Sequence, residues 1–212
     1  MRAKVAVATV SGKAYYLIVN ELKKANLPFI SLTPYEPIPL EIKVVITTEE
    51  ERPLISHENV LTFKDGTYLQ ALVNQTLQFI EGKDSYEQIV IGVDPGEVLG
   101  LAVLADGKVI RTGNCFGINE TLDEIDNIIK SLKDIRASVI AVKVGDGIPQ
   151  YKEMLLEALD RKLPPNIVLE SVSEAGTDRN ISDSKHRRGL RDIVSAIKIA
   201  RKNGQVYARR EK

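Results

Sequence analysis

The chain is short of most of the residues that announce a protein's class. It has one cysteine in 212 residues, which excludes an internal disulfide framework and a cysteine-built zinc site. Cys115 is expected to be a small packed hydrophobe between two strands. Aromatic residues make up 5%, so stacking of single-stranded bases on aromatic platforms is not indicated. Basic and acidic side chains balance at 29 each, and global charge therefore points to no partner. No segment has about 18 uninterrupted apolar residues, so no transmembrane helix is expected. The opening MRAKVAVATVSGKAYYL lacks a signal-peptide pattern, because a strand-like alternation begins at Ala3. No internal repeat or low-complexity tract is present. These absences lead to the expectation of a cytoplasmic protein without membrane contact.

The neutral total hides an asymmetry. Residues 86–177 carry 9 basic and 15 acidic side chains, whereas residues 178–212 carry 11 and 4. A solvated helix face explains many such runs. An acidic middle before a basic tail also suits a site that holds cations and contacts a polyanion.

The length allows two small units. In the first, residues 1–84, strand patterns at Lys4–Val10, Pro28–Leu32, Ile42–Ile46 and Asn59–Phe63 alternate with helical patterns. One helix follows Ser11, and another covers about Thr67–Ile80. That order predicts a small, mostly parallel α/β domain whose role has no motif behind it. Ser11-Gly12-Lys13 lacks the full phosphate-loop spacing and reads as a helix cap. His57, with no nearby Cys or second His, reads as a solvated loop residue.

Residues 85–212 carry the chemistry. The run Ile89–Val93 ends on Asp94, Pro95-Gly96 turns the chain, and Val98–Ala105 follows. Asp106-Gly107 is a two-residue hairpin signal before a return strand at Lys108–Gly113. Helix at Thr121–Lys133, strand at Ala137–Val144, helix at Gln150–Arg161, strand at Ile167–Val172 and helix at Lys185–Lys202 complete the order. The fold class expected is α/β. Three antiparallel hairpin-connected strands plus two parallel strands, with helices on both faces, is the element order of an RNase H-like fold. On the last helix a wheel puts Leu190, Ile193, Val194, Ile197 and Ala200 on the apolar face, with Asp192 at its edge.

Asp94 and Glu174 each lie just past a strand end, and Asp192 lies near a helix start. Three carboxylates so placed can converge, and hard divalent ions such as Mg2+ or Mn2+ favour oxygen ligands of this kind. Asp94 before Pro-Gly has a plainer reading as a turn residue. Lys185, Arg187, Arg188 and Arg191 precede Asp192, where guanidinium forks and a helix N-terminus suit phosphate oxygens. An exposed, solubilising helix start is the alternative. Arg201, Lys202, Arg209 and Arg210 read as a solvated helix end and a frayed tail.

GVDPGEVLGLAVL resembles the opening motif of RuvC and YqgF-type RNase H-like domains, with Gly100 as its trailing glycine. VGDGIP, VSEAGT and LRDIVSAIKIARK are similar to successive segments of the YqgF-like domain of the bacterial transcription factor Tex. The resemblance covers about residues 88–203. It implies a two-metal endonuclease on structured nucleic acid, branched DNA or RNA, with Asp94 bridging two Mg2+ or Mn2+ ions and Glu174 and Asp192 completing the set. A homodimer would suit two-fold symmetric junctions. The alternative implied is a non-catalytic nucleic-acid-binding module associated with transcription or RNA processing. One departure favours that alternative: Lys143 stands where RuvC has a glutamate, and a lysine beside a cation site repels metal. Asp146 reads as a turn residue between two glycines, and Glu170 points to either the site or solvent.

Overall fold

The computed structural model describes residues 3–64, 69–83, 85–132, 135, 137–173 and 185–209, with residues 185–188 described only as backbone. The chain divides into two compact units, Met1–Ser85 with Ser131–Arg136, and Tyr86–Lys130 with Ala137–Lys212. Nothing in the sequence marks the short return of residues 131–136 to the first unit.

In the first unit, strands β1 (Val5–Ala8), β2 (Phe29–Leu32), β3 (Val44–Thr48) and β4 (Val60–Phe63) alternate with helices α1 (Gly12–Lys24) and α2 (Leu69–Glu81). The sheet order is β2-β1-β3-β4, with every pairing parallel. Ser11 caps α1, its Oγ accepting from the Ala14 N–H at 3.3 Å, which satisfies one of the amides a helix start leaves open. The period-2 pattern of the strands separates two faces. Val5, Val7, Val44 and Ile46 bury against Ala14, Ile18, Leu22, Leu72 and Val73 of the two helices. Ala6, Ala8 and Val45 point the other way and meet only Ile42 and Ile55 of the connecting segments among their fully buried neighbours. Removing a fully buried Ile18 or Leu22 from water contributes roughly 2–3 kcal/mol each before entropy is counted.

His57 is not a solvated loop residue. Its Nδ1 accepts from the Asn59 N–H at 3.0 Å and its Nε2 lies 3.1 Å from the Ile42 carbonyl. The ring therefore ties two of the loops that cover the helix-free face.

The second unit contains β5 (Tyr86–Asp94), β6 (Leu99–Ala105), β7 (Lys108–Cys115), α3 (Ile118–Ser131), β8 (Ala137–Gly145), α4 (Pro149–Lys162), β9 (Val168–Val172), α5 (Lys185–Arg201) and a short β10 (Gln205–Val206). The sheet is mixed, in the order β10-β9-β8-β5-β6-β7. β5, β6 and β7 pair antiparallel, β5, β8 and β9 pair parallel, and β10 joins antiparallel to β9. The β6–β7 turn has Asp106 at φ 46° and Gly107 at φ 79°, the left-handed pair that a type I′ hairpin requires. Asp106 also accepts from the Glu87 and Gln88 N–H groups at 2.9 and 3.0 Å, which fastens the turn to the start of β5.

Two glycines set where α5 lies. A Cβ on Gly92 would stand 2.2 Å from the Ala196 carbonyl oxygen, and one on Gly100 would stand 2.1 Å from that of Asp192. Only glycine allows the helix backbone so close to the sheet. Val90, Ala102 and Leu104 complete this face against Ala196 and Ala200. Residues of opposite parity, Ile89, Ile91, Val93, Val142 and Val144, are fully buried on the other face, where α4 packs against β8 and β9.

The α5 wheel needs rotating from the orientation expected. Leu190 and Val194 are 65% and 47% exposed, while Ala196, Ile199 and Ala200 are buried. Small residues replaced large ones at the interface because the glycines bring backbone, not side chains, to the sheet. Arg209 likewise is no part of a frayed tail. All its donors are engaged: Nε to Asp160 Oδ1 at 2.8 Å, Nη1 to the carbonyls of Pro164 and Ile167, and Nη2 to those of Asp160 and Leu163. It holds the C-terminal segment on the end of α4.

Candidate metal and nucleic-acid site

Asp94 is the last residue of β5 and is half-buried. The hairpin that follows brings Gly100 directly opposite it, and Asn114 of β7 lies opposite Gly100. Directly paired residues project to the same face of a sheet. Asp94, Gly100 and Asn114 thus form one row on the face that carries α5. Across β8 the register that pairs Val93 with Val144 is followed by Gly145, the last residue of that strand. The side of Asp94 toward β8 is therefore lined by glycine.

Asp192 enters this row from above. Its backbone carbonyl approaches Gly100, and Asp192 is half-buried beside the buried positions Ala196 and Ile199 of α5. One turn earlier, a Cβ on Gly189 would stand 2.9 Å from the Asn114 amide nitrogen. The helix therefore starts over β7, crosses β6 at Asp192 and reaches β5 at Ala196. The structure brings Asp94 and Asp192 to neighbouring positions around a single glycine. Glu174 lies outside the described residues. Among the described residues, no group of three or more His, Cys, Asp or Glu side chains is arranged to hold a metal ion. The two acids that are described offer carboxylate oxygens, the donor type that hard divalent cations take.

Arg191 is exposed on α5. Lys185, Arg187 and Arg188 belong to the helix's first turn, and their side chains lie outside the described residues. Asp146 is half-buried beyond the end of β8, its N–H donating to the Val172 carbonyl at 3.0 Å.

Lys143 projects to the same face of the sheet as Asp94. It pairs with Gly92, two residues below Asp94, and with Glu170 on β9. Its Nζ lies 3.1 Å from Glu170 Oε2 and donates to the Lys202 carbonyl at 2.8 Å. Glu170 Oε2 in turn accepts from the Gly204 N–H at 3.1 Å. The lysine charge is thus offset by a carboxylate and used to hold the C-terminus of α5, which also resolves the direction of Glu170.

One feature beside the acids had no signal in the sequence. The Asn114 side-chain oxygen is buried with no hydrogen-bond partner among the described residues, an acceptor held on the same face as the acids. Cys115, next to it, is buried as expected, and burial pushes its thiol pKa up; the Thr121 side chain opposes this and Glu120 and Glu124 add to it. The thiol is thereby kept protonated and is a poor nucleophile. Away from these residues, the first unit has an open groove of about 480 Å³ lined by Pro34, Tyr35, Pro37, Ile38 and Leu54 among others.

Comparison with known families matches residues 4–80 to a family described as a response regulator receiver-like domain. The match falls within the first unit, a part of the chain for which sequence reasoning reached only the α/β class. No curated protein matches the chain. No helix among the described residues is long and apolar enough to cross a membrane.

Proposed function

We propose that the second unit is a divalent-metal-dependent endonuclease of RNase H-like type, acting on the phosphodiester backbone of structured nucleic acid. Support for the fold comes from the mixed sheet, in which a three-stranded antiparallel hairpin array continues into two parallel strands, with β10 as an added edge. The observation that carries the function is the close approach at Gly100. The residue paired with Asp94 touches the backbone of Asp192, so acids some 98 positions apart in the chain share one end of the sheet.

In this reading Asp94, Asp192 and Glu174 hold Mg2+ or Mn2+ through carboxylate oxygens. Bound divalent ions supply positive charge that polarises the scissile phosphodiester and eases ionisation of the attacking water. Asp94 orients from a rigid strand end, and Asp192 from a helix locked by two glycine contacts. Such rigidity matters because misplaced ligands lose rate steeply. Lys185, Arg187, Arg188 and Arg191 meet backbone phosphates at the start of α5. Pairing with Glu170 removes much of the repulsion that Lys143 would exert on cations. The receiver-like match leads us to assign residues 4–80 an accessory role outside the chemistry.

The test is cleavage of a panel of branched and linear DNA and RNA with magnesium or manganese. Wild type is expected to cut, and Asp94→Asn and Asp192→Asn to lose about a hundredfold or more. Cleavage unchanged in Asp94→Asn would remove the assignment. A second reading, a non-catalytic nucleic-acid-binding module, draws on Lys143, a cation on the sheet face that carries Asp94. It predicts salt-sensitive binding without cleavage.

A further inference from the structure

Resting on the nuclease reading above, we propose that Phe116 is a stacking platform for an unpaired base of the substrate. The site then takes nucleic acid in which unpaired bases adjoin a duplex. Of the four phenylalanines in the chain, Phe63 is buried, Phe29 and Phe79 are half-buried, and Phe116 is 75% exposed. The backbone that carries this ring is fixed on both sides. Cys115 before it pairs with Leu99 in the β6–β7 ladder. The Phe116 N–H donates to Glu120 Oε2 at 2.6 Å. Gly117 after it, at φ 135°, accepts from the Thr121 N–H at 3.1 Å and the Thr121 hydroxyl at 2.8 Å. The ring is thus held out in water at a defined place. A base laid on it removes apolar surface from water on both partners.

A single exposed hydrophobic residue is ordinary on a protein surface. Phe116 is distinguished by where it stands. β5 and β7 run in the same direction with β6 between them, so Phe116 is at the end of the sheet that carries Asp94. Asn114 shares the row of Asp94 and Gly100, and Phe116 follows two residues later. Two strand spacings of about 4.8 Å and two residues of about 3.4 Å place its backbone roughly 12 Å from that of Asp94. Leu190, 65% exposed and next to the α5 glycine that meets Asn114, adds apolar surface at the same corner. A phosphodiester held at the acids therefore has its neighbouring bases within reach of the ring. In a continuous duplex each base is stacked on both faces, and freeing one costs unstacking. An unpaired base offers its face at lower cost. The low aromatic content argues against a run of stacking platforms, but a branch point needs only one ring. Every base has a π-face, so the contact selects unpaired structure and reads no sequence.

The experiment is fluorescence anisotropy with the full-length protein, with calcium in place of magnesium to limit cleavage. Three labelled substrates are made in DNA and in RNA: a continuous duplex, the same duplex with a central bulge of unpaired bases, and that bulge with its bases removed as abasic sites. The variants are Phe116→Ala and Phe116→Tyr, with circular dichroism to check that each is folded. Wild type is expected to bind the base-bearing bulge more tightly than the other two substrates. Phe116→Ala loses about fivefold or more on that substrate and matches wild type on the abasic bulge and the duplex. Phe116→Tyr, which keeps the ring, binds as wild type does. If Phe116→Ala binds the base-bearing bulge as tightly as wild type, or weakens on all three substrates equally, the platform is wrong and the nuclease reading stands. Failure of Phe116→Tyr to restore binding also overturns the platform. If wild type binds none of the substrates, both fall.

Discussion

Gly100 is the residue on which the site depends most directly. A methyl group there would meet the Asp192 carbonyl at 2.1 Å, a clash with helix backbone that no side-chain rotation relieves. Gly100→Ala is expected to cost about 3 kcal/mol, the upper end for overpacking, and to move Asp192 away from Asp94. Urea unfolding measures the first effect, and loss of metal-dependent activity in the still-folded variant measures the second. Glu51 gives a residue-scale prediction in the other unit. Burial alone would raise its pKa. Hydrogen bonds from the Thr9 side chain, the Val10 N–H and the Thr48 side chain and N–H outweigh that and hold it below the ordinary 4.5. A carboxyl depressed on folding contributes stability that is complete above 4.5 and is lost as pH falls through its lower folded value. Glu51→Gln should therefore unfold at lower urea than wild type at pH 7, and the gap should close on acidification below pH 4.5. A constant gap would mean the carboxylate charge is not what Thr9, Val10 and Thr48 hold.

At the scale of elements, α5 carries most of what matters and was the element read least well from sequence. Its existence and extent were legible from the apolar period, and Asp192 was legible as a candidate. Its rotation was not. A wheel weights Leu190 and Val194 as core because they are large. The actual interface selects small residues because Gly92 and Gly100, on other elements, admit backbone. That choice depends on two positions far away in the chain, which a local pattern cannot encode. Lys143 shows a related limit: its place on the Asp94 face follows from its sequence position, but its pairing with Glu170 depends on the register of a strand far along the chain. The Asp106-Gly107 turn, by contrast, is specified by its own two residues and was fully legible. The Lys143–Glu170 pair is nearly buried, at 10% and 17% side-chain exposure. Lys143→Met strands the carboxylate and should cost about 3 kcal/mol, whereas Lys143→Met with Glu170→Leu should recover most of that loss. Thermal or urea unfolding of the four proteins in the cycle measures it. If the double variant is no better than the single, the pair does more than neutralise charge.

For the whole molecule, the two units differ first in their sheets. The first unit is all parallel, bears both helices on one face and matches a receiver-like family over residues 4–80. Strand–helix alternation made its class legible, but it carries no chemical motif from which a role can be read. The second unit has a mixed sheet whose central strand ends in an acid. There the order of elements was legible, with Asp94 at a strand end and Asp192 on the last helix, and the glycine contacts between those elements were not. Asp94 and Asp192 are proposed to belong to one divalent-cation site. The most direct test is calorimetric titration of manganese into the full-length protein and into Asp94→Asn and Asp192→Asn. Wild type is expected to bind manganese at or below millimolar concentration, with binding weakened about tenfold or more in each variant. The absence of any manganese binding by folded wild type, or binding that both substitutions leave unchanged, would contradict it.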